Sequence, residues 1–332
     1  MSDAAFKIGI IGAGGIAAAH FAAAKASGGR VVVAAIAEPL QANREKASAE
    51  NDAAAFASAE AMFAAVKSGD LHLDGVIVCT PPSIRTKIIE ATFKAKLPVL
   101  MEKPIAHTLA DAKKLASLAT KHKKVLSFVA YCHRFAPPIN EMKAMVAAGK
   151  IGTLVRVENA FACDLPSHAE KWFSDVKQSG GGAFLDMGSH SIDLFNYLTS
   201  PSKTLASVFS NKWKKRTETA ATVLVQSTKK AGANIPAGVA GVIISGWAEA
   251  SRFTLTLVGN AGTLSYDYEK PTELLFKDLL GAPTIHTVPS HDTRFQLQLV
   301  AFADAVQHKK KSQLATFAHG LAAATGDAKA RR

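Results

Sequence analysis

Apolar positions in the first 150 residues form short unbroken runs, separated by longer stretches in which they recur every three or four residues. Unbroken runs suit strands buried on both faces, and the 3.6-residue period suits helices with one covered face. The pattern predicts a strand ending at Ile11, a helix over 16–26, a strand over 31–37 and a helix over 40–51. A short strand over 53–57, a helix over 59–67 and a strand over 75–79 follow, the last stopped by Thr80, Pro81 and Pro82. Next come a helix over 83–95 and a strand over 99–101, then a helix opened by Thr108 with Asp111 three residues on. A strand over 125–131 and a helix over 137–148, stopped by Gly149, complete this half. Alternating β and α patterns of this kind predict a doubly wound parallel sheet.

The rhythm changes beyond residue 150. Strand patterns over 154–161, 205–211, 219–226, 239–249, 252–258 and 263–268 are interrupted by one long helical pattern over 183–198. Helices starting at Phe295 and Phe317 close the chain. Few crossover helices favour a large, mostly antiparallel open sheet with helices on one face. The expected organisation is therefore α/β: a doubly wound domain over 1–150 and an α+β domain over 151–332. Within the strand over 239–249, Val239 to Trp247 is apolar at both alternating sets of positions, which marks it for a partner subunit on the uncovered face.

The length of 332 residues allows about two domains with large cores, and apolar residues make up 48% against 20% charged. No apolar run approaches the ~18 residues of a membrane span, and the opening MSDAAF lacks the pattern of a secretory signal, so the expected compartment is the cytoplasm. Cys79, Cys132 and Cys163 form neither a CxxC pair nor a zinc-like spacing, so reduced thiols and no metal are expected. A net charge of +12, with KWKKR over 212–216 and KKK over 309–311, raises nucleic acid as a partner. The basic residues are otherwise spread through surface-helix patterns, aromatics make up only 7%, and no nucleic-acid motif occurs. Attraction to a small polyanion and solubility are the simpler reasons, so the expected partner is a small molecule, with neither nucleic acid nor membrane.

Three segments carry candidate chemistry. In KIGIIGAGGIA, Gly12, Gly14 and Ala17 fit the G-x-G-x-x-G/A spacing between a strand and a helix, with Gly15 and Ile16 opening the helix. Gly12 permits the sharp turn, Gly14 leaves backbone bare for a pyrophosphate, and the helix start offers N–H groups and a positive dipole end. Glu38 ends the next strand, where an acidic residue accepts from the adenosine ribose and repels a 2′-phosphate, which favours NAD. Arg44 and Lys46 lie near enough to serve NADP instead. A glycine turn is also an ordinary connection, and the alternative for Glu38 is a solvated strand end. Lys103 in VLMEKPIA follows a buried strand, where open α/β sheets bind ligands, and Asp186 and His190 stand four apart on the predicted helix over 183–198. A carboxylate beside an imidazole can orient it and favour its protonated form. Each feature alone is equally a strand end or a surface pair.

Taken together, GAGGIA, the TPP of Thr80 to Pro82, the EKP of Glu102 to Pro104, the HRF of His133 to Phe135 and GGGAFLDMGSH resemble the Gfo/Idh/MocA oxidoreductases over nearly the whole chain. The resemblance implies a Rossmann domain with an open-sheet domain, a homodimer or homotetramer, and a cis peptide before Pro104. It also implies contacts to cofactor from Gly12, Gly14, Gly15, Ile16, Glu38, Thr80, Pro81, Glu102 and Lys103. Lys103, Asp186 and His190 become the catalytic set: His190 the base, Asp186 its orienting partner, Lys103 the group that steadies charge on the reacting oxygen. Tyr131, Arg134, Lys171 and Trp172 join them as pocket residues, although Tyr131 and Trp172 could equally be core aromatics. Two departures bear on substrate. Pro82 and Arg85 replace the polar residues of T-P-N-x-x-H, and Phe173 stands where Arg is common. The implied activity is hydride transfer between NAD, or NADP, and a CH–OH carbon of a sugar, sugar derivative or polyol. A non-catalytic sensor of the same fold is the alternative, and retention of Lys103, Asp186 and His190 favours the enzyme.

Overall fold

The apolar runs of the first half assemble as the alternation requires. In the computed structural model, which describes residues 4–214 and 217–331, the order is β1 (Phe6–Ile11), α1 (Gly15–Ala26), β2 (Val31–Ala37), α2 (Gln41–Asn51), β3 (Ala54–Phe56) and α3 (Ala59–Ser68). It continues with β4 (Gly75–Val78), α4 (Arg85–Lys94), β5 (Val99–Met101), α5 (Leu109–Lys121) and β6 (Ser127–Val129). These strands are all parallel and stand in the order β6-β5-β4-β1-β2-β3, the doubly wound arrangement whose crossing point lies between β1 and β4. Ile8, Ile10, Ile77 and Leu100 have no exposed surface, as expected of strands covered on both faces. Thr108 caps α5, its hydroxyl accepting the Asp111 N–H at 3.1 Å.

The second half contains α6 (Pro137–Ala147), β7 (Leu154–Asp164), the single turn α7 (Val176–Ser179), α8 (Ser189–Leu198), β8 (Ser202–Ser210), β9 (Ala220–Ser227) and β10 (Ala240–Gly246). β11 (Ala248–Gly259), β12 (Gly262–Asp267), β13 (Glu273–Asp278) and β14 (Thr284–Thr287) follow. Eight strands stand in the order β14-β13-β12-β11-β7-β10-β9-β8, antiparallel except for β7 with β10. One face is apolar and covered: Val223, Ile243, Leu255, Leu257 and Leu264 are buried, with α8 packed on β7, β8 and β10.

The chain ends with α9 (Arg294–Gln307), β15 (Ala315–Thr316) and α10 (Phe317–Ala330). Two compact units result: Met1–Cys132 with Phe295–Leu321, and His133–Arg294 with Ala322–Arg332. The sequence reading draws one division near 150 and assigns everything beyond it to the second domain. The return of 295–321 to the first unit has a packing cause: Phe302 of α9 meets Phe6 of β1 edge to face at 5.5 Å, and β15 pairs antiparallel with β6.

Three expectations need local correction. The strands over 239–249 and 252–258 are instead β10 and a longer β11, which meet at the fully buried Trp247. The helix over 183–198 is a π turn, Phe184–Gly188, followed by α8. β13 and β14 went unpredicted because they form an edge hairpin with little buried side-chain surface and so lack the alternation of a half-covered strand.

Candidate active site

The glycine turn is built for close approach. Gly12 has φ +92°, a region that favours glycine, and its N–H bonds Ala37 O at 2.8 Å, closing the turn onto β2. Gly14 is the N-cap of α1, whose first turn carries no acidic side chain. A Cβ placed on Gly14 or Gly15 would meet nothing within 4 Å, so bare backbone at a helix N-terminus faces open space. Thr80 Oγ1 is buried and has no hydrogen-bond partner among the described residues. Glu38, 7% exposed, accepts from Ala13 N–H at 2.8 Å and Leu40 N–H at 3.0 Å. Its two oxygens retain lone pairs for ribose hydroxyls. Arg44 Nη1 donates to the backbone carbonyls of Glu38 and Pro39 at 2.7 and 3.1 Å, which holds a guanidinium against the backbone at the strand end. The open cradle, the unsatisfied hydroxyl and the acidic strand end all fit a dinucleotide.

At the end of β5 the Lys103–Pro104 bond is cis. Glu102, expected to contact cofactor, also braces this turn. Its Oε1 lies 2.8 Å from His20 Nε2 of α1, both side chains being buried, and its Oε2 accepts the Lys103 N–H at 3.1 Å. It therefore ties the fingerprint helix to the Lys103 backbone. Arg85 is the larger surprise, since its position read as the loss of a polar contact. Buried, it donates from Nε and Nη2 to Thr80 O at 2.8 and 2.6 Å, and from Nη1 to the carbonyls of Glu102 and Pro104. Burial brings its pKa down to about 10 against the pull of Glu102. One guanidinium thus fastens the 80–82 and 102–104 loops together.

In the second unit, a braced glycine turn presents the D-x-G-x-H segment. A Cβ on Gly182 would collide with the Glu218 carbonyl oxygen, so only glycine fits there. Glu218 Oε1 accepts the N–H groups of Gly182 and Phe184, each at 3.0 Å, and its two oxygens take Arg331 Nη1 and Nη2 at 2.8 and 2.7 Å. Burial raises the Glu218 carboxyl, but Arg331 and the backbone donors outweigh it, and the net shift is downward. The i, i+4 reasoning for Asp186 and His190 assumed an α-helix, whereas the π turn widens the coil between them. Asp186 Oδ2 accepts from Trp247 Nε1 at 3.2 Å, and the His190 ring meets the His133 ring edge to face at 4.6 Å.

The candidate residues thus fall into two groups. Gly12, Gly14, Gly15, Ile16, Glu38, Thr80, Pro81, Glu102, Lys103 and Tyr131 belong to the first unit, and Arg134, Trp172, Asp186 and His190 to the second. Tyr131 is 1% exposed, a core aromatic rather than a pocket wall. Arg134 also leaves the candidate pocket: its Nε and Nη2 donate to the two oxygens of buried Asp193 at 2.8 and 2.6 Å. Burial pushes the Asp193 carboxyl up, and Arg134 opposes the shift. Trp172 stays partly exposed, stacked on Phe173 at 3.9 Å. Lys212 and Lys214 are exposed, whereas Lys215 and Arg216 of the basic cluster lie outside the described residues. Sequence reasoning missed His20, Arg85, Glu218 and Trp247. His20, Glu218 and Trp247 act through partners remote in the chain, whereas Arg85, shortly after the TPP turn whose Thr80 carbonyl it binds, carried a local signal.

Residues 6–131 match the family described as an oxidoreductase family with an NAD-binding Rossmann fold, and residues 139–265 match the GFO/IDH/MocA C-terminal domain. The chain is 32% identical over 207 residues to the rhizopine catabolism protein MocA of Rhizobium meliloti, an alignment covering 62% of this chain and 61% of that protein. It therefore spans about three fifths of that relative's length. An inositol dehydrogenase homolog from Azotobacter vinelandii, solved with NAD+, superposes with a TM-score of 0.84 at 18% identity, covering 100% of this chain and 98% of the other. A levoglucosan dehydrogenase solved with NADH and levoglucosan gives 0.83 at 19% identity, with 98% and 97% covered. At those identities the two structures establish the fold. Matched in both of its halves, the chain belongs to the GFO/IDH/MocA oxidoreductase family.

Proposed function

We propose that this protein transfers a hydride between NAD and a ring CH–OH or C=O carbon of a cyclic sugar, sugar derivative or polyol. The observation that carries the reading is a complete chemical set, Lys103 after β5 with Asp186 and His190 on the braced turn, in a chain of this oxidoreductase family. Bound nicotinamide supplies the hydride acceptor or donor. The chain's own residues supply the rest. His190 takes the proton of the substrate hydroxyl, and Lys103 donates a hydrogen bond to the same oxygen as negative charge grows there. Asp186 orients that imidazole, and the Trp247 N–H, bonded to its Oδ2, holds the carboxylate in place.

We assign cofactor binding to the first unit and substrate binding to the second, where Trp172 offers a partly exposed ring to a sugar face. Glu38 supports NAD over NADP, since both of its oxygens are held in place at the strand end. Relatives named 1,5-anhydro-D-fructose reductase, levoglucosan dehydrogenase and myo-inositol 2-dehydrogenase support a cyclic polyol. The three free cysteines support a reducing compartment such as the cytoplasm.

A homodimer or homotetramer through the uncovered sheet face completes the reading. Leu224, Val242, Glu158, Thr256, Ser265, Leu275 and Ile285 stand in one cross-strand row, and Leu224, Leu275 and Ile285 are 42%, 40% and 62% exposed. The test of function is reduction of NAD+ and NADP+ across aldoses, uronates and inositols, with the reverse reaction on their keto forms. Turnover of at least one ring polyol with NAD+ is expected; binding of NAD+ with no turnover on any member would overturn the reading.

A further inference from the structure

We infer that His133 and Tyr268 form a positioning pair that holds His190 ready as the base, an inference that rests on the role proposed for His190. His133 Nδ1 lies 2.8 Å from Tyr268 Oη, and the His133 ring meets His190 edge to face at 4.6 Å with an interplanar angle of 85°. Tyr268 stands edge to face with both His133 (5.3 Å) and Phe161 (5.4 Å), and Phe161 also packs on His133 at 4.9 Å. His133 lies on the turn before α6, Phe161 on β7, His190 on α8, and Tyr268 just past β12. Three separate elements therefore converge on the His133 imidazole.

The chemistry of the pair follows from its donors and acceptors. A phenol is the ordinary proton donor to a neutral imidazole nitrogen, so Tyr268 donates and His133 Nδ1 accepts, which fixes the His133 proton on Nε2. A hydrogen bond accepted by the neutral ring disfavours protonation at that nitrogen. With Nδ1 engaged by the phenol, His133 is the fixed member of the two imidazoles that stand 4.6 Å apart, and taking the substrate proton falls to His190. The edge-to-face contact also fixes the plane of the His190 ring. Titratable groups against the pair include His190 on the His133 side, and Tyr266 and His291 beside Tyr268 at 4.9 and 4.7 Å. His291 bonds Tyr266 Oη through Nδ1 at 2.6 Å, burial lowers its pKa, and Asp292 and Arg294 are the charges around it.

The test uses steady-state kinetics of the full chain with NAD+ and the substrate found in the panel. Tyr268→Phe removes only the hydroxyl and keeps the ring packing; it and His133→Ala should each lower kcat about tenfold, a fraction of the ~10²–10⁴ that a general base supplies. Substrate KM and NAD+ affinity should stay within about twofold of wild type, as expected of groups acting in the transition state. His133→Gln, which can still accept from Tyr268, should recover most of the rate. In a His190→Ala background neither substitution should lower kcat further, and the low-pH limb of Tyr268→Phe should broaden as two imidazoles titrate together. A raised KM at unchanged kcat, or a full further loss in the His190→Ala background, would overturn the positioning role while leaving His190 as the base. If His190→Ala itself leaves kcat unchanged, the base assignment fails and the pair falls with it.

Discussion

Gly12 and Gly14, two residues apart in one turn, should fail in different ways when given side chains. Gly14 sits at φ −79°, ψ −170°, an extended conformation open to any residue, and an added Cβ meets nothing within 4 Å. Gly14→Val therefore creates no clash within the protein, and as a poorer N-cap it costs less than about 1 kcal/mol. A domain of this size should lose no more than roughly 4 °C in Tm. The branched side chain instead fills the space where backbone N–H groups would meet the pyrophosphate. Charge-assisted bonds of this kind contribute roughly 1.5–3 kcal/mol each, and losing one or two amounts to about 3 kcal/mol, some hundredfold in Kd. Gly12→Ala reverses the pattern: φ is +92°, and the new Cβ would lie 3.1 Å from the Cys79 carbonyl carbon and Thr80 Cγ2. Its principal effect should be on stability. Titration calorimetry with NAD+ and thermal unfolding of both variants decide the matter. Wild-type affinity in Gly14→Val would remove the pyrophosphate from this turn.

Glu38→Ala should shift the NAD to NADP affinity ratio about tenfold toward NADP, equivalent to about 1.4 kcal/mol, and an unchanged ratio counts against the assignment. Arg85→Lys keeps a charge but loses the fork that reaches three carbonyls, so urea unfolding should show a loss of roughly 2–3 kcal/mol and NAD+ should bind more weakly. Glu218 has a native pKa below its ordinary 4.5, so the stability it contributes is complete above about pH 4.5 and lost as pH falls through the native value. Glu218→Gln should be less stable near neutrality and should lack that part of the acid dependence. Light scattering should report a dimer or tetramer at micromolar concentration, and Leu224→Lys should weaken it if the uncovered face is the interface.

Much of the first unit was legible because its strands are buried on both faces, and unbroken runs such as the GVIV of β4 declare that directly. The glycine fingerprint was legible for a different reason: its function depends on backbone geometry encoded within a few residues. The π turn at Phe184–Gly188 left no trace in the hydrophobic period, since the segment keeps its apolar face in either coil. Pairings that decide roles were hidden by distance along the chain. Arg134 finds Asp193 59 residues on, and Glu218 finds Arg331 113 residues on, so a motif alone could not separate a pocket arginine from a buried strut. The same limit concealed Arg85, whose replacement of a familiar polar residue looked like a deficit until its carbonyl partners were seen.

The most direct measurement of the central claim is the single-turnover rate of nicotinamide reduction by wild type, Lys103→Ala and His190→Ala, each saturated with NAD+ and a ring polyol. If the two side chains act on the reacting oxygen, each substitution should slow that step by roughly 10²–10⁴. The Kd for NAD+ should hardly change in His190→Ala. Wild-type protein that binds NAD+ and polyol yet shows no reduction, with the substitutions altering affinity alone, would contradict the account.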